Sequence, residues 1–454
     1  MFPRLKPLRA ALVVGLLLWA GAAPSASWGA VFDPKTFTLP NGLDVVVIEN
    51  HRLPVVTQMV WYKVGAADDP QGKSGIAHFL EHLMFRGSGT IAPGEFSRTV
   101  ARNGGRDNAF TSWDYTGYHQ TVAADRLELV MKLESDRMAN LAITDDVVTP
   151  ERQVIIEERR SRIDNNPAAL LNEQMNATLF LNHPYRIPVI GWQHEMATLT
   201  QKDALDFYRR HYAPNNAILI ISGDVTVEQV RDLAAKYYAP IPRRDIAPRV
   251  RLREPLHTSA RRIVLESDRV REPRLTREYL APSYTTGDKQ YAYALQVLET
   301  ILSGGATSRL YRKLVEEDKI AVSAWVSYEP SALDYGTISV GGQPRADVPL
   351  SKLEEAIDLE IARLLKDGVT ADEVSRAKNQ LVSSADYARD SLRRGAMAIG
   401  TALTTGQTVA DVEAWPERIG GVTPEQVNAA ARLVFNAVNS VTGALLPAPR
   451  PSRS

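Results

Sequence analysis

The stretch GIAHFLEHLMF, residues 75–85, sets His78, Glu81 and His82 into an otherwise apolar run, in a chain of 454 residues with only 8 histidines. On a helix, two histidines four apart stack on one face, with Glu81 beside them. Ile76, Phe79, Leu80, Leu83, Met84 and Phe85 cover most of the remaining circumference, the pattern of a helix buried on nearly all sides. Two imidazoles and a carboxylate in such a place are strongly unfavourable without partners. A divalent metal is one physical reason to keep them there. A pair of hydrogen-bonded core histidines is the plainer alternative.

Two histidines leave a catalytic metal site incomplete, because catalytic zinc takes three protein ligands and keeps a fourth position open for water. The chain has no cysteine, so any further ligand is His, Asp or Glu. The strongest segment is TPERQVIIEERR, 149–160. Thr149 is expected to cap a helix there, with Pro150 first inside it and Glu151 at its positive end. Helical spacing then places Glu158 on the face of Glu151, Val154 and Ile155, and turns Glu157 toward Gln153 and Arg160. Glu158 is therefore assigned as the third ligand, and Glu151 as a carboxylate that orients a ligand or tunes its charge. His119 is the residue to check as a fourth, which would close the site and make it structural.

Positioning such a site takes helices on a sheet. FTLPNGLDVVVIEN reads as a hairpin around Asn41-Gly42, and 55–65 as a strand. Residues 108–122, rich in Thr, Trp and Tyr, read as a further strand. Helical segments around 125–139, 149–163 and 200–211 lead to a strand at 217–223. A Pro- and Arg-rich stretch, 239–255, breaks the chain and reads as an exposed linker. Beyond it the order recurs, with strands near 261–266 and 275–281 and a long helix over 289–302. One pair of segments, starting at Leu199 and Val422, aligns without gaps, Thr200 with Thr423 and Asn216 with Asn439, both offset by 223 (423−200, 439−216). The expected fold is α+β, with two homologous halves, each a mostly antiparallel sheet with helices packed on one face. The halves are taken as 31–240 and 259–446, joined by a linker over 241–258 and followed by a disordered tail, 447–454.

Composition excludes some classes of function. Lys plus Arg and Asp plus Glu both number 53, so no net field draws the chain to nucleic acid or an anionic membrane. Arg4, Lys6 and Arg9 precede the apolar ALVVGLLLWAGAA, and no acidic residue occurs before Asp33. That is a secretory signal peptide pattern over 1–30, with cleavage between Ala23 and Ala30. Its apolar stretch falls short of the roughly 20 residues that span a bilayer, so no stable membrane anchor is expected. The chain is read as exported to the periplasm of a Gram-negative bacterium. A mitochondrial presequence is the alternative, disfavoured because it would be amphipathic and Arg-rich rather than a solid apolar block.

With HFLEH, the glutamate at 158 and the Glu-Arg at 151–152, the chain resembles the pitrilysin, insulin-degrading enzyme and mitochondrial processing peptidase family, whose inverted zinc motif is His-x-x-Glu-His. PNGLDVVV, NAFTSWDYTGYH and YAPNNAILIISGD are similar to that family as well, so the likeness runs from about 34 to 446. It implies a zinc endopeptidase with one Zn2+ per chain, held by His78, His82 and Glu158. Glu81 would be the general base and Glu151 an auxiliary catalytic carboxylate, and only the N-terminal half would carry metal. It further implies a peptide substrate added as an extended strand to a sheet edge in a closed chamber, against Asn108, Ala109 and Phe110. Phe110, Trp113 and Tyr115 would line specificity pockets or belong to the core.

One departure from the family pattern carries a consequence. The family's second half usually holds an Arg and, seven residues on, a Tyr that reach the substrate. Those positions here hold Val315 and Val322, and neither Arg309 nor Arg312 has such a Tyr. The resemblance therefore implies a homologous partner subunit supplying that pair, in a heterodimer. The alternative is a non-catalytic peptide-binding or scaffold subunit, although such members typically lose the zinc motif that is complete here.

Overall fold

The computed structural model describes residues 31–388 and 391–449. Two sheets organise them. The first holds β1 (Lys35–Thr38), β2 (Asp44–Glu49), β3 (Val55–Tyr62), β4 (Arg106–Thr111), β5 (Thr116–Ala123) and β6 (Ala217–Gly223), in the order β1-β2-β6-β3-β5-β4. The second holds β7 (Arg261–Ser267), β8 (Arg274–Ala281), β9 (Ala321–Glu329), β10 (Gly336–Pro344) and β11 (Ser440–Pro447), in the order β7-β11-β8-β10-β9.

Leaving β1 aside, the two sheets share one topology. β2 runs parallel to β6 as β7 does to β11, and every other pairing is antiparallel. The expected duplication is present in detail. Thr200 and Thr423 each close a capping box at the head of a helix, Gln201–His211 and Pro424–Val434. The strands that follow, β6 and β11, begin at Ala217 and Ser440, again 223 apart (440−217). The fold is thus α+β with two mixed, mostly antiparallel sheets, as the sequence implied.

Alternation along the strands explains how the sheets are covered. In β3, Val56, Val60 and Tyr62 face a core shared with the helices of the first half, whereas Met59 and Trp61 face the opposite side. A strand apolar on both faces needs cover on both. The second cover comes from the other half: helix Leu392–Thr404 lays Ala396 and Ile399 on Val46, Met59, Trp61, Ile218 and Ile220. Reciprocally, helix Pro167–Leu179 lays Leu171, Met175 and Leu179 against Val441 and Leu445 of β11. The halves thus exchange helices, and each sheet is sealed by its neighbour.

Two local expectations are corrected. The segment 108–122 is a hairpin of two strands, β4 and β5, because Ser112–Tyr115 turns the chain, with Ser112 N donating to Tyr115 O at 2.8 Å. The glutamate helix is Asp145–Arg159, capped in extended conformation at Thr144, so that Pro150 lies inside it and Thr149 is not its cap. A proline there loses its own N–H from the ladder and crowds the carbonyl four residues back, yet the helix continues through it. The expected hairpin at Asn41-Gly42 is present. Gly42 takes φ +89°, and the Asn41 amide donates to Tyr238 O and Ile241 O, both at 2.8 Å. Residues 241–258 form neither helix nor strand. The signal-peptide reading, 1–30, lies outside the described residues. Among those described, no helix is long and apolar enough to cross a membrane.

Candidate metal centre

His78, Glu81 and His82 sit on helix Ile76–Leu83, whose residues are all buried except His82, which is half-buried. Its start is fixed by a carboxylate the sequence reading did not single out. Asp69, in the preceding loop, accepts from Gly75 N at 2.7 Å and Ala77 N at 3.1 Å. Such a group satisfies N–H donors that a helix start leaves free. Burial pushes the Asp69 carboxyl well above its ordinary range, although those two donors oppose it. Gly75 takes φ +85° against the backbone of Ile190, where a Cβ would lie 2.5 Å from a carbonyl oxygen. No other residue fits there.

Glu151 and Glu158 come from helix Asp145–Arg159, which packs across the histidine helix and runs into a wider π turn, Arg160–Asp164. Arg159 anchors its end, with Nη1 and Nη2 donating to Glu173 at 2.7 and 2.9 Å and Nη1 also donating to Gly191 O at 2.9 Å. Helical spacing separated the neighbouring carboxylates correctly: the Glu157 side chain is 61% exposed and paired with Arg160, whereas that of Glu158 is 15% exposed and turned inward.

The inward face assembles a three-donor cluster. Nε2 of His82 and Nε2 of His78 lie 3.2 and 3.6 Å from Glu158 Oε2, and one donor atom from each residue falls within 4.8 Å of the others. The donor set, two imidazoles and a carboxylate, suits zinc. Glu158 Oε2 is buried and, apart from the two imidazoles, has no hydrogen-bond partner among the described residues, which suits a ligand oxygen. His82 Nδ1 meets Glu151 Oε1 at 2.8 Å, and Glu151 Oε2 is ion-paired with Arg86 Nε at 2.5 Å. A carboxylate behind a ligating histidine fixes its tautomer and ring orientation. His119, the possible fourth ligand, stands outside the cluster on β5, its ring 6.3 Å from that of Phe110.

Burial and the facing carboxylates set the electrostatics of the cluster. Burial lowers His82, but its bonds to Glu151 and Glu158 outweigh that and raise it to about 9. Burial, then the neighbouring His82, brings His78 down to about 4. The bond to His82 holds Glu158 below the ordinary carboxylate range, and burial opposes it. Burial works against ionised Glu151 too, yet His82 and Arg86 keep it low. Glu81 moves the other way: burial raises it, while a 2.6 Å bond from Thr111 Oγ1 restrains the rise.

Thr111 ends β4, the last strand of its sheet, which pairs with β5 on one side only. Among the described residues β4 therefore presents a free edge beside the histidine helix. A cleft of about 890 Å³, within the usual span of ligand sites, brings together His78, Glu81, His82, Glu158, Asn108 and Ala109. Phe110 also borders it, but its ring packs edge-on against Trp61 at 4.9 Å and covers Gly117, where a Cβ would sit 2.3 Å from the ring.

Residues 44–192 match the family model described as Insulinase (Peptidase family M16), and residues 198–381 match the one described as Peptidase M16 inactive domain. A zinc protease of Helicobacter pylori, PqqE, is 33% identical over 388 residues, covering 82% of this chain and 85% of its own. The chain belongs to the M16 peptidase family. It is a zinc protease. A further M16 relative, a zinc protease of Mycobacterium leprae, is 30% identical over 408 residues, 88% of each chain. The crystal structure of a protease from Helicobacter pylori superposes with a TM-score of 0.86 at 28% identity, covering 91% of this chain and 99% of that one. The fold also matches the periplasmic protease PqqL of Escherichia coli, at 20% identity and a TM-score of 0.78, over 47% of that longer chain.

The sequence reading brought His78, Glu81, His82, Glu151 and Glu158 together, and the structure places them in one cluster. It missed Asp69, which holds the start of the histidine helix, and Arg86 and Thr111, which meet Glu151 and Glu81. Of these, only Arg86 carries a signal in the sequence, lying four residues after His82, just beyond the helix end. In the second half, Arg309 is engaged by Glu373 through two 2.7 Å bonds, and Arg312 lies 3.5 Å from Glu317. Val322 is exposed on β9.

Proposed function

We propose that this M16 protease is an endopeptidase cleaving peptides or small unfolded proteins bound as an extended strand along β4. The observation that carries the reading is that the His78–His82–Glu158 cluster, Glu81 and the free edge of β4 border one cleft. Zinc, when bound, supplies Lewis acidity that acidifies water and polarises a carbonyl. His78, His82 and Glu158 would hold it, and Glu151 would orient His82. Glu81, not a ligand, takes the proton from the attacking water and delivers it to the leaving amine; its raised affinity for protons suits a group that must accept and then return one. Asn108 and Ala109 pair with the substrate backbone, and Phe110 shapes the wall from its seat on Trp61.

Glu81→Gln should retain one zinc per chain and lose about 10²- to 10⁴-fold in peptide turnover. Metal analysis beside a cleavage assay reads both, and comparable cleavage by the variant would overturn the assignment.

The partner reading belongs to the same proposal. Val315 and Val322 leave the second half without the expected Arg and Tyr, which supports a chamber completed by a homologous subunit. Full activity from a homogeneous preparation of this one chain would refute that. Export rests on the 1–30 pattern, with the halves bounded as 31–240 and 259–446. N-terminal sequencing of the native protein checks the cleavage point between Ala23 and Ala30.

A further inference from the structure

The linker segment PRVRLREP inverts the usual alternation. Val250 and Leu252 point outward, 84% and 54% exposed, while the Arg251 side chain between them is only 12% exposed. The half-buried Arg249 and Arg251 reach one place, the turn between β4 and β5. Arg249 Nη2 donates to Asp114 O at 2.6 Å, and Arg251 Nη2 donates to Asp114 Oδ1 at 3.3 Å. Arg251 also grips Asp68, with Nη1 on Oδ1 at 2.5 Å and Nη2 on Oδ2 at 3.1 Å. Asp68 in turn accepts from Gly65 N at 3.0 Å, and the next two residues hold the turn directly: Ala66 N donates to Ser112 O and Ala67 N to Trp113 O, both at 2.9 Å.

Asp114 itself is 3% exposed, and its carboxylate gathers donors from three parts of the chain. Arg251 comes from the linker. The Tyr185 hydroxyl, from the first half, donates to Oδ2. Leu333 N donates to the same oxygen at 3.1 Å, from the loop between β9 and β10, the second half's counterpart of this very turn. The two equivalent loops meet there, and Tyr185 also accepts from Asp334 N at 3.3 Å. A buried carboxylate with this many donors, two of them charged or short, is a strong local constraint.

The constraint falls on an element that needs one. Among the described residues β4 has no strand on its outer side, so its position rests on pairing with β5, on the helices Ile76–Leu83 and Glu95–Arg102 that it packs against, and on the turn that joins it to β5. Thr111, which holds Glu81, lies at the end of β4 next to that turn. We propose that Asp114 is a positioning residue for the peptide substrate: clasped by Arg251, Tyr185 and Leu333 N, it fixes β4 relative to the metal cluster, so that the junction between the halves sets the register of a bound strand. The inference rests on the reading that substrate adds to β4.

The test uses the full chain, zinc-loaded, in the assembly in which it is isolated and in the Glu81→Gln background, so that binding is measured without turnover. Two fluorescent peptides of one sequence are compared, one unmodified and one N-methylated at an amide that would pair with β4. A lost backbone hydrogen bond in a bound strand corresponds to roughly a tenfold rise in Kd. If the parent shows that penalty, Asp114→Asn should weaken the unmodified peptide about tenfold and shrink the N-methyl penalty to below about threefold, with zinc content unchanged. Arg251→Gln, which leaves Tyr185 and Leu333 N on Asp114, should give the same pattern in smaller measure, and it carries the test if the first variant does not fold. Unchanged affinity and penalty in both variants would overturn the proposal. So would an equal loss for both peptides, which reports fewer competent molecules rather than a displaced strand. If N-methylation has no effect in the parent, the β4 reading itself fails, and the positioning claim falls with it.

Discussion

Helix Ile76–Leu83 and helix Ala292–Ser303 occupy the same place in the two halves, each after the second strand of the shared topology and each buried in its core. Their polar residues recur at the same spacing: His78, Glu81 and His82 in the first, Gln296, Glu299 and Thr300 in the second. In the second, the would-be ligand positions turn inward on themselves. Gln296 Oε1 accepts from Trp415 Nε1 at 3.1 Å, its amide donates to Ala292 O at 3.3 Å, and Thr300 Oγ1 donates to Gln296 O at 3.0 Å. Only the glutamate keeps its character, and burial raises Glu299, to about 7, as it raises Glu81. The comparison teaches that the fold tolerates a polar triplet on a buried helix with or without a metal. What makes a metal centre is the pair of imidazoles met by a carboxylate from a helix packed across them.

That difference can be broken or sharpened by substitution. The largest effect is expected from Glu151→Gln, which removes the charge behind His82 and should lower zinc affinity about 10- to 100-fold, read by competition with a chelator. Next come the two glycines at the exchanged helices. A Cβ on Gly400 would meet the Trp61 ring at 2.0 Å, whereas one on Gly443 would meet Met175 Sδ at 2.2 Å. Gly400→Ala should destabilise by about 1–3 kcal/mol in denaturant titration, and Gly443→Ala by less, because a methionine side chain yields where an indole packed on two rings does not.

A smaller effect separates the two glutamates by pH. Glu299 binds its proton more tightly in the fold, at about 7, than at the ordinary 4.5. Stability is therefore lost as pH rises from about 4.5 to about 7, where the unfolded chain ionises first, and levels off above. Glu299→Gln should gain about 1 kcal/mol at pH 8 and nothing at pH 4, the figure being discounted for partial solvent access. Thermal melts at the two pH values check the sign. Last, Gln296→His with Thr300→His should leave zinc at one per chain, since the imidazoles would lack the carboxylate partner and meet Trp415. A second equivalent of bound zinc would show that the imidazole pair alone is enough.

Much of this was legible in the residues. The His-x-x-Glu-His spacing, the separation of Glu158 from Glu157 by helical phase and the 223-residue offset are local or periodic signals, and each reads directly from the chain. The hairpin at 108–122 was not separated into two strands, because Thr-, Trp- and Tyr-rich sequence favours strand throughout and the turn carries no glycine or proline at its centre. Pro150 reads as a helix start because proline favours that position, and the flanking helical turns override it. The reciprocal cover of the two sheets had no sequence signature, since alanines and glycines at 395–400 do not say which surface they meet.

The sequence by itself determined the ligand types, their helical phase and the doubled α+β plan, because these depend on side-chain chemistry and on periods of a few residues. Tertiary structure decided which histidine Glu151 stands behind, which strand edge lies free beside Glu81, and which half covers which sheet. Those contacts join residues far apart in the chain, such as Asp114 with Leu333 and Trp61 with Gly400, and no local period can encode a distance closed only when the whole chain has packed.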